Sequence, residues 1–347
     1  MNVYRCPENP IIEPKDVTPW QAGYEVIGAF NTGVTRLGDE IILLIRVAER
    51  PASSNPDIEY TAVYDVEKKQ IAVKEFSKKD SLLDFSDPRM TITPEGKFLT
   101  SLSHFRIARS KDGIHFEIDD KPCMSPATAY ETFGLEDPRI SLIGDTYYIT
   151  YVAVSPLGVT TALASTKDFG SIERHGIIFC PDNKDVVLFP EKIEGKYYAI
   201  HRPVTPLFEK YEMWIAESND LKHWGNHHYL MGSAEGTFDC HRLGASAVPF
   251  RTDEGWLEVY HGVDDDNRYC LGAVLFDIKE PWKIIGRSDK PILAPETDYE
   301  IEGFFGNVVF NCGLLCEEGK LRIYYGVADT SIAYAEISLQ EVMDSLK

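Results

Sequence analysis

The chain alternates short apolar runs with turns rich in Gly, Asp and Glu, and it almost nowhere sustains a helical period. Five segments carry the pattern most clearly: EIILLIRVA (40–48), TYYITYVAV (146–154), KYYAIHRPV (196–204), GWLEVYHGV (255–263) and KLRIYYGVA (320–328). Each is dense in β-branched and aromatic residues and follows a Gly-containing turn (LGDE, IGDT, IEGK, TDEG, EEGK), which predicts strands entered from tight hairpins. Helical spacing is confined to SLQEVMDSL (338–346). The expected class is all-β.

These segments are also copies of one another. A second strand-like run follows each: IEYTAVYD, VTTALASTKD, EMWIAESND, YCLGAVLFD and SIAYAEISL. A sixth stretch, GKFLTSLSHFRIARSKDGIHFE (96–117), fits the same template. The connectors repeat too, since NPIIEPKDVTPWQAGYEVIGAFNTG (9–33) matches KPILAPETDYEIEGFFGNVVFNCG (290–313). Four-stranded repeats of roughly 45–60 residues are the signature of a β-propeller. A β-sandwich of similar hairpins has no reason to repeat its connectors. Residues 1–347 are read as a single β-propeller domain, and counting repeats alone allows six units.

Composition narrows the function without naming it. With 35 Lys+Arg against 55 Asp+Glu, the formal charge is −20, which argues against a nucleic-acid partner. The 17 Phe, 18 Tyr and 5 Trp serve either a β-rich core or platforms for a ligand with apolar faces, such as a sugar. Seven scattered cysteines without a CxxC pair read as reduced thiols. No basic-then-apolar leader opens the sequence, and no apolar run approaches a membrane span, so a cytoplasmic location without a membrane partner is expected.

A propeller directs attention to its axis, where innermost strands and connectors converge. Those positions supply Asn31-Thr32, Arg46, Asp87-Pro88-Arg89, Glu136-Asp137-Pro138-Arg139, Lys184-Asp185, His201-Arg202, Asp239, His241-Arg242, His261, Asn311 and Asp329. Charges within apolar strands are costly unless they meet partners or a ligand, so this set is either an internal salt-bridge network or a site. Carboxylates mixed with fixed cations suit glycosyl transfer by inversion. That reaction needs one protonated carboxyl at the leaving oxygen and a nucleophile on the opposite face. Water as nucleophile demands a second carboxylate there; phosphate demands cations. His223, His227 and His228 are read as loop histidines and not as metal ligands, and the Cys240-His241 pair is a weak signal for a thiol nucleophile.

GLEDPRI (134–140), FPEKIEGKYYAIHRP (189–203), GWLEVYHGV (255–263) and PILAPETDYEIEGFFGNVVFNCGLL with YYGVADT (291–330) resemble glycoside hydrolase family 130 over nearly the whole chain. The resemblance implies a five-bladed propeller that cleaves β-mannosides with inorganic phosphate as co-substrate, inverting to α-mannose 1-phosphate. It implies no metal or organic cofactor, and homo-oligomers among its partners. It assigns Asp137 as the general acid, acting through the mannose 3-hydroxyl, and Asn31, Thr32, Arg46, Glu136, Asn311 and Asp329 as mannoside contacts. Arg202 and His261, with Lys184, Arg139 and Tyr269 behind them, are the implied phosphate ligands. A minority of the family are hydrolases with Glu where the phosphate cations stand. Retained Arg202 and His261 favour phosphorolysis, whereas Asp264, Asp265 and Asp266 are read as a solvated turn. A third alternative is a non-catalytic carbohydrate-binding propeller. The stretch between Arg46 and Asp137 is longer than the simplest family pattern, which makes Asp87 a competitor for Asp137 and weakly favours β-1,2-linked over β-1,4-linked mannosides.

Overall fold

Five antiparallel sheets form the blades of a β-propeller in the computed structural model, which describes every residue except 54, 206 and 347. Blade I comprises Tyr24–Leu37, Glu40–Pro51, Leu102–Ser110 and Glu117–Ile118, from innermost strand outward. Blade II is Leu135–Ile143, Thr146–Ser155, Gly158–Thr166 and Glu173–Phe179; blade III is Asn183–Leu188, Tyr197–Pro203, Met213–Ser218 and Trp224–Met231. Blade IV runs Arg242–Ala245, Trp256–Val263, Tyr269–Phe276 and Ile284–Arg287, with Phe250–Arg251 pairing alongside Trp256. Blade V is Val309–Glu317, Lys320–Val327 and Ser331–Ser338, completed by Val3–Arg5 from the other end of the chain.

The apolar runs are continuous because both faces of each blade are covered. In Glu40–Pro51, Ile42 and Leu44 pack with Leu135, Ile149 and Tyr151 of blade II. The alternate residues Ile41, Leu43, Ile45 and Val47 pack with Tyr324, Ile332 and Tyr334 of blade V. Side chains two apart share a face, so one strand feeds two seams, and period-two polarity disappears from its sequence. Equivalent seams join blades II and III, III and IV, and IV and V. The short helix Leu339–Asp344, capped by the Ser338 side chain, adds Val342 and Met343 to the last of these.

The blades number five, as the family resemblance implies, and not the six units that counting repeats allows. IEYTAVYD does not pair with EIILLIRVA; it forms a separate hairpin, Ile58–Asp65 with Gln70–Ser77. The strand that pairs with Glu40–Pro51 is Leu102–Ser110, which lies in the supposed sixth unit. EIILLIRVA of the first copy and LSHFRIARS of the sixth are thus neighbouring strands of blade I. The 58–99 region between them is an insertion of two hairpins, the second being Met90–Thr93 with Gly96–Leu99. Val63 and Phe98 of this insertion pack on Phe133, Val152 and Val154 at blade II.

Ring closure depends on more than three residues of pairing. Arg5 donates from Nε to Glu300 Oε1 at 2.9 Å and from Nη2 to the Ala294 carbonyl at 2.9 Å. Glu300 is fully buried and also accepts from Tyr325 Oη (2.8 Å) and the Glu296 amide (2.7 Å). Burial alone would raise the Glu300 pKa, but these donors, Arg5 foremost, bring it below its ordinary value. Arg5→Ala should therefore strand a buried carboxylate and cost about 3 kcal/mol. A lower urea midpoint with an unchanged slope would report that loss, whereas an unmoved midpoint would mean that Glu300 is satisfied without Arg5.

Candidate active site

Four innermost strands break register at one end: between Phe30 and Gly33, Glu136 and Arg139, Lys184 and Val187, and Asn311 and Gly313. Three of these bulges hold an Asn or Asp in the left-handed region, namely Asn31 (φ 48°), Asp137 (φ 49°) and Asp185 (φ 56°). Asp329, just past the second strand of blade V, has φ 51°. Asn and Asp tolerate this conformation better than other side-chain-bearing residues, and bulges redirect side chains out of the pleat. Local sequence thus accounts for polar groups emerging from apolar strands. Gly326 completes the arrangement, because a Cβ there would fall 2.1 Å from Asn31 Oδ1.

The bulges open on a cavity of about 300 Å³. Asn31 and Arg46 enter it from blade I, Glu136 and Asp137 from blade II, Lys184 from blade III, Tyr269 from blade IV and Asp329 from blade V. Phe30, Phe304, Phe305 and Phe310 supply apolar faces, and the insertion contributes Arg89, Met90 and Leu99. Such a mixture of aromatic faces and convergent polar groups suits a pyranose ring, which is apolar on its faces and polar at its rim.

Asp137 is held on one oxygen only. Its Oδ1 accepts from Asn31 Nδ2 at 2.9 Å and from Arg46 Nη1 at 3.0 Å, leaving Oδ2 without a protein donor among the described residues. Arg46 also donates to Glu136 Oε1 at 2.8 Å, and its guanidinium lies 4.7 Å from the Phe30 ring centre. Burial by itself would raise the Asp137 pKa, but Arg46, Lys184 and Arg139 outweigh it and hold the carboxyl below its ordinary value. Asp329 goes the other way: burial first, then the neighbouring Asp137 and Glu136 charges, push it up to about 6 despite Arg46 and Arg89.

A second cluster lies one layer behind the wall, around Asp185. Its Oδ1 accepts from Arg139 Nη2 at 3.2 Å; its Oδ2 is 2.7 Å from Arg202 Nε and 3.5 Å from His261 Nε2. Arg139 spends its remaining contacts on the carbonyls of Asp137, Ala245 and Ser246. His261 Nδ1 sits 3.1 Å from Ser246 Oγ. Burial, reinforced by Arg202, Arg139 and Lys184, lowers the His261 pKa to about 3 although Asp185 opposes the shift. At neutral pH the His261 ring is therefore uncharged, held between Ser246 and Asp185.

Seven predicted residues therefore line the cavity: Asn31, Arg46, Glu136, Asp137, Lys184, Tyr269 and Asp329. Five stand outside its lining. The Thr32 hydroxyl bonds the Gly33 carbonyl, and the Asn311 amide is spent on the carbonyls of Gly313 and Tyr324. Arg139, Arg202 and His261 belong to the Asp185 cluster. Asp87 is bound to Arg89 at 2.8 Å and, unlike Asp137, does not line the cavity. Asp264 closes a turn by accepting from the amides of Asp266 and Arg268. His227 faces His201 across 3.1 Å, and His223 pairs with Asp220.

Two arginines of the wider polar set belong with the site although the sequence did not select them. Arg89 stacks at 4.7 Å over Phe305 and lines the cavity; its Asp-Pro-Arg tripeptide, shared with 137–139, was the available signal. Arg242 lies between Tyr211 (5.5 Å) and Tyr269 (5.9 Å), its Nε buried without a hydrogen-bond partner. Among the described residues no carboxylate pairs with Lys184 or Arg242.

Fold and cavity together define a carbohydrate-active propeller enzyme. A family model for glycoside hydrolase family 130, described as β-1,4-mannooligosaccharide phosphorylase, matches residues 100–347. The β-1,2-mannobiose phosphorylase of Listeria innocua is 49% identical over 351 residues, covering 100% of this chain and 99% of that protein. A 1,2-β-oligomannan phosphorylase of Thermoanaerobacter sp. is 41% identical over 254 residues, covering 72% of this chain and 84% of its own length. The solved complex of the Listeria innocua enzyme with β-1,2-mannobiose superposes with a TM-score of 0.97, covering 100% of this chain and 99% of that one. The chain belongs to glycoside hydrolase family 130.

Proposed function

We propose that this protein is an inverting β-mannoside phosphorylase that prefers β-1,2-linked mannobiose and short mannooligosaccharides and releases α-mannose 1-phosphate. The observation that carries the reading is the charge asymmetry of the cavity. Asp137, Glu136 and Asp329 gather around Arg46 on one side. Toward blades III and IV stand Lys184 in the cavity lining and, behind it, Arg202 and Arg242, while the carboxylate among them, Asp185, is already bound by Arg139 and Arg202. A hydrolase needs a free carboxylate there to activate water; an anionic nucleophile needs cations. The full-length relative supports the β-1,2 preference.

In this reading Asn31, Arg46 and Asp329 hold the non-reducing mannose, and the open Oδ2 of Asp137 faces the sugar hydroxyl that relays a proton to the glycosidic oxygen. The bond from the anomeric carbon to the leaving oxygen breaks as a phosphate oxygen attacks from the opposite face. The proton of hydrogenphosphate is conserved overall and ends on the released hydroxyl, so Asp137 only has to pass one on. Bound phosphate also cancels part of the cationic field that lowers the Asp137 pKa, so the acid gains its proton when the co-substrate is present. Inorganic phosphate is the sole co-substrate, and no cofactor takes part.

The test is incubation with β-1,2-mannobiose, with and without phosphate, scoring mannose 1-phosphate. Phosphate-dependent product, formed faster than from β-1,4-mannobiose, is expected. Equal release of free mannose in both conditions would instead make the protein a β-mannosidase.

A further inference from the structure

Asp185 is fully buried and lies outside the cavity lining, so it touches neither sugar nor phosphate in the proposed reaction. It nonetheless organises the groups on the anion side. Its Oδ2 forms an ion pair with Arg202, 2.7 Å from Nε, without the geometry of a hydrogen bond. Among the described residues no nitrogen of Arg202 has a protein hydrogen bond. A guanidinium paired by charge on its Nε side leaves its terminal pair as a fork, the geometry that grips two oxygens of a phosphate. Through Oδ1, Asp185 also engages Arg139, whose Nη1 bonds the Asp137 carbonyl at 3.1 Å. One carboxylate thus ties the anion side to the backbone of the acid. The left-handed bulge at Asp185 aims it, and Gly244 makes room: a Cβ there would fall 2.5 Å from Asp185 Oδ2 and 2.7 Å from His261 Cε1.

We propose that Asp185 is the positioning residue of the phosphate site, holding Arg202 by the ion pair on its Nε side so that its terminal nitrogens are ready for phosphate, with His261 fixed behind them. The assignment rests on the phosphorylase reading above. It makes a prediction of definite sign. Removing a negative charge would, by Coulomb attraction alone, tighten phosphate binding. Losing the anchor should loosen it, and the positioning role requires that the second effect win.

Asp185→Asn should raise the KM for phosphate by about ten- to a hundredfold, the worth of a charge-assisted contact, with the KM for β-1,2-mannobiose changed less than threefold. Phosphate should also cease to raise the melting temperature of the variant. A phosphate KM that is unchanged or lower overturns the assignment. So does a variant in which both KM values, kcat and melting temperature all fail together, because that is a structural role. If Asp185→Asn does not fold, Gly244→Ala applies the same criteria by displacing the carboxylate without removing it. Wild-type turnover that ignores phosphate would sink the phosphorylase reading itself; phosphate-dependent wild type with an unshifted variant sinks only the role of Asp185.

Discussion

Replacing Asp137 by Asn is expected to reduce mannose 1-phosphate release by about 10²- to 10⁴-fold, the usual worth of a positioned general acid. Asn keeps an oxygen for Asn31 Nδ2 and Arg46 Nη1, so the bulge and its two hydrogen bonds survive. What disappears is the exchangeable proton at the second carboxylate position. Mannobiose binding measured by calorimetry should therefore persist while turnover collapses. A variant that retains more than a tenth of wild-type kcat would move the acid elsewhere. Asp329 would be the next candidate, since its pKa near 6 already keeps a proton partly on it.

Asp329→Asn should move activity and stability in opposite directions. In the proposed reaction the carboxylate serves the sugar only as an ionised acceptor, so phosphorolysis should fall by about ten- to a hundredfold. In the folded protein its pKa is raised from 3.8 to about 6, chiefly by burial and then by Asp137. A raised carboxyl favours the folded state while protonated, and that contribution is lost as pH climbs from about 4 through about 6. At pH 7 the wild type carries a buried charge whose cost Asn removes. The variant should then be more stable by on the order of 2 kcal/mol at pH 7, with the two proteins converging near pH 4. Denaturation at both pH values decides the matter: equal stabilities at pH 7 would mean that Arg46 and Arg89 already neutralise the charge.

Strands were legible because their composition and turns are local properties, but partnership is not. IEYTAVYD has every mark of a strand following EIILLIRVA, and nothing in it reveals that Glu40–Pro51 pairs with Leu102–Ser110 instead. That one long-range pairing converts six units into five. Arg46 stood out because a charge inside an apolar strand needs a reason, and it proved to face the cavity. The same logic selected Arg202 and His261, whose partners are protein groups behind the wall. A sequence records that a charge is compensated, not by what. Arg242 entered the wider polar set without a role for the converse reason: at the head of a strand it breaks no apolar pattern, and its position between two tyrosine rings is what singles it out. The left-handed turns at Asn31, Asp137 and Asp185 were equally hidden, because an Asn or Asp at a strand end more often closes an ordinary hairpin.

The pairing of Val3–Arg5 with Ser331–Ser338 has a bearing on biosynthesis. As the polypeptide leaves the ribosome, four blades can be assembled before the fifth has its last strands, but the nascent ring stays open. Asn31 and Asp137 emerge early and Asp329 late, so the mannoside pocket does not exist on any truncated intermediate. An interrupted translation product would carry the acid yet lack the opposite wall, with the blade I face of Ile41, Leu43 and Ile45 uncovered. Stalled chains should be insoluble instead of partly active, and catalytic competence should arrive in a single step when the circle shuts.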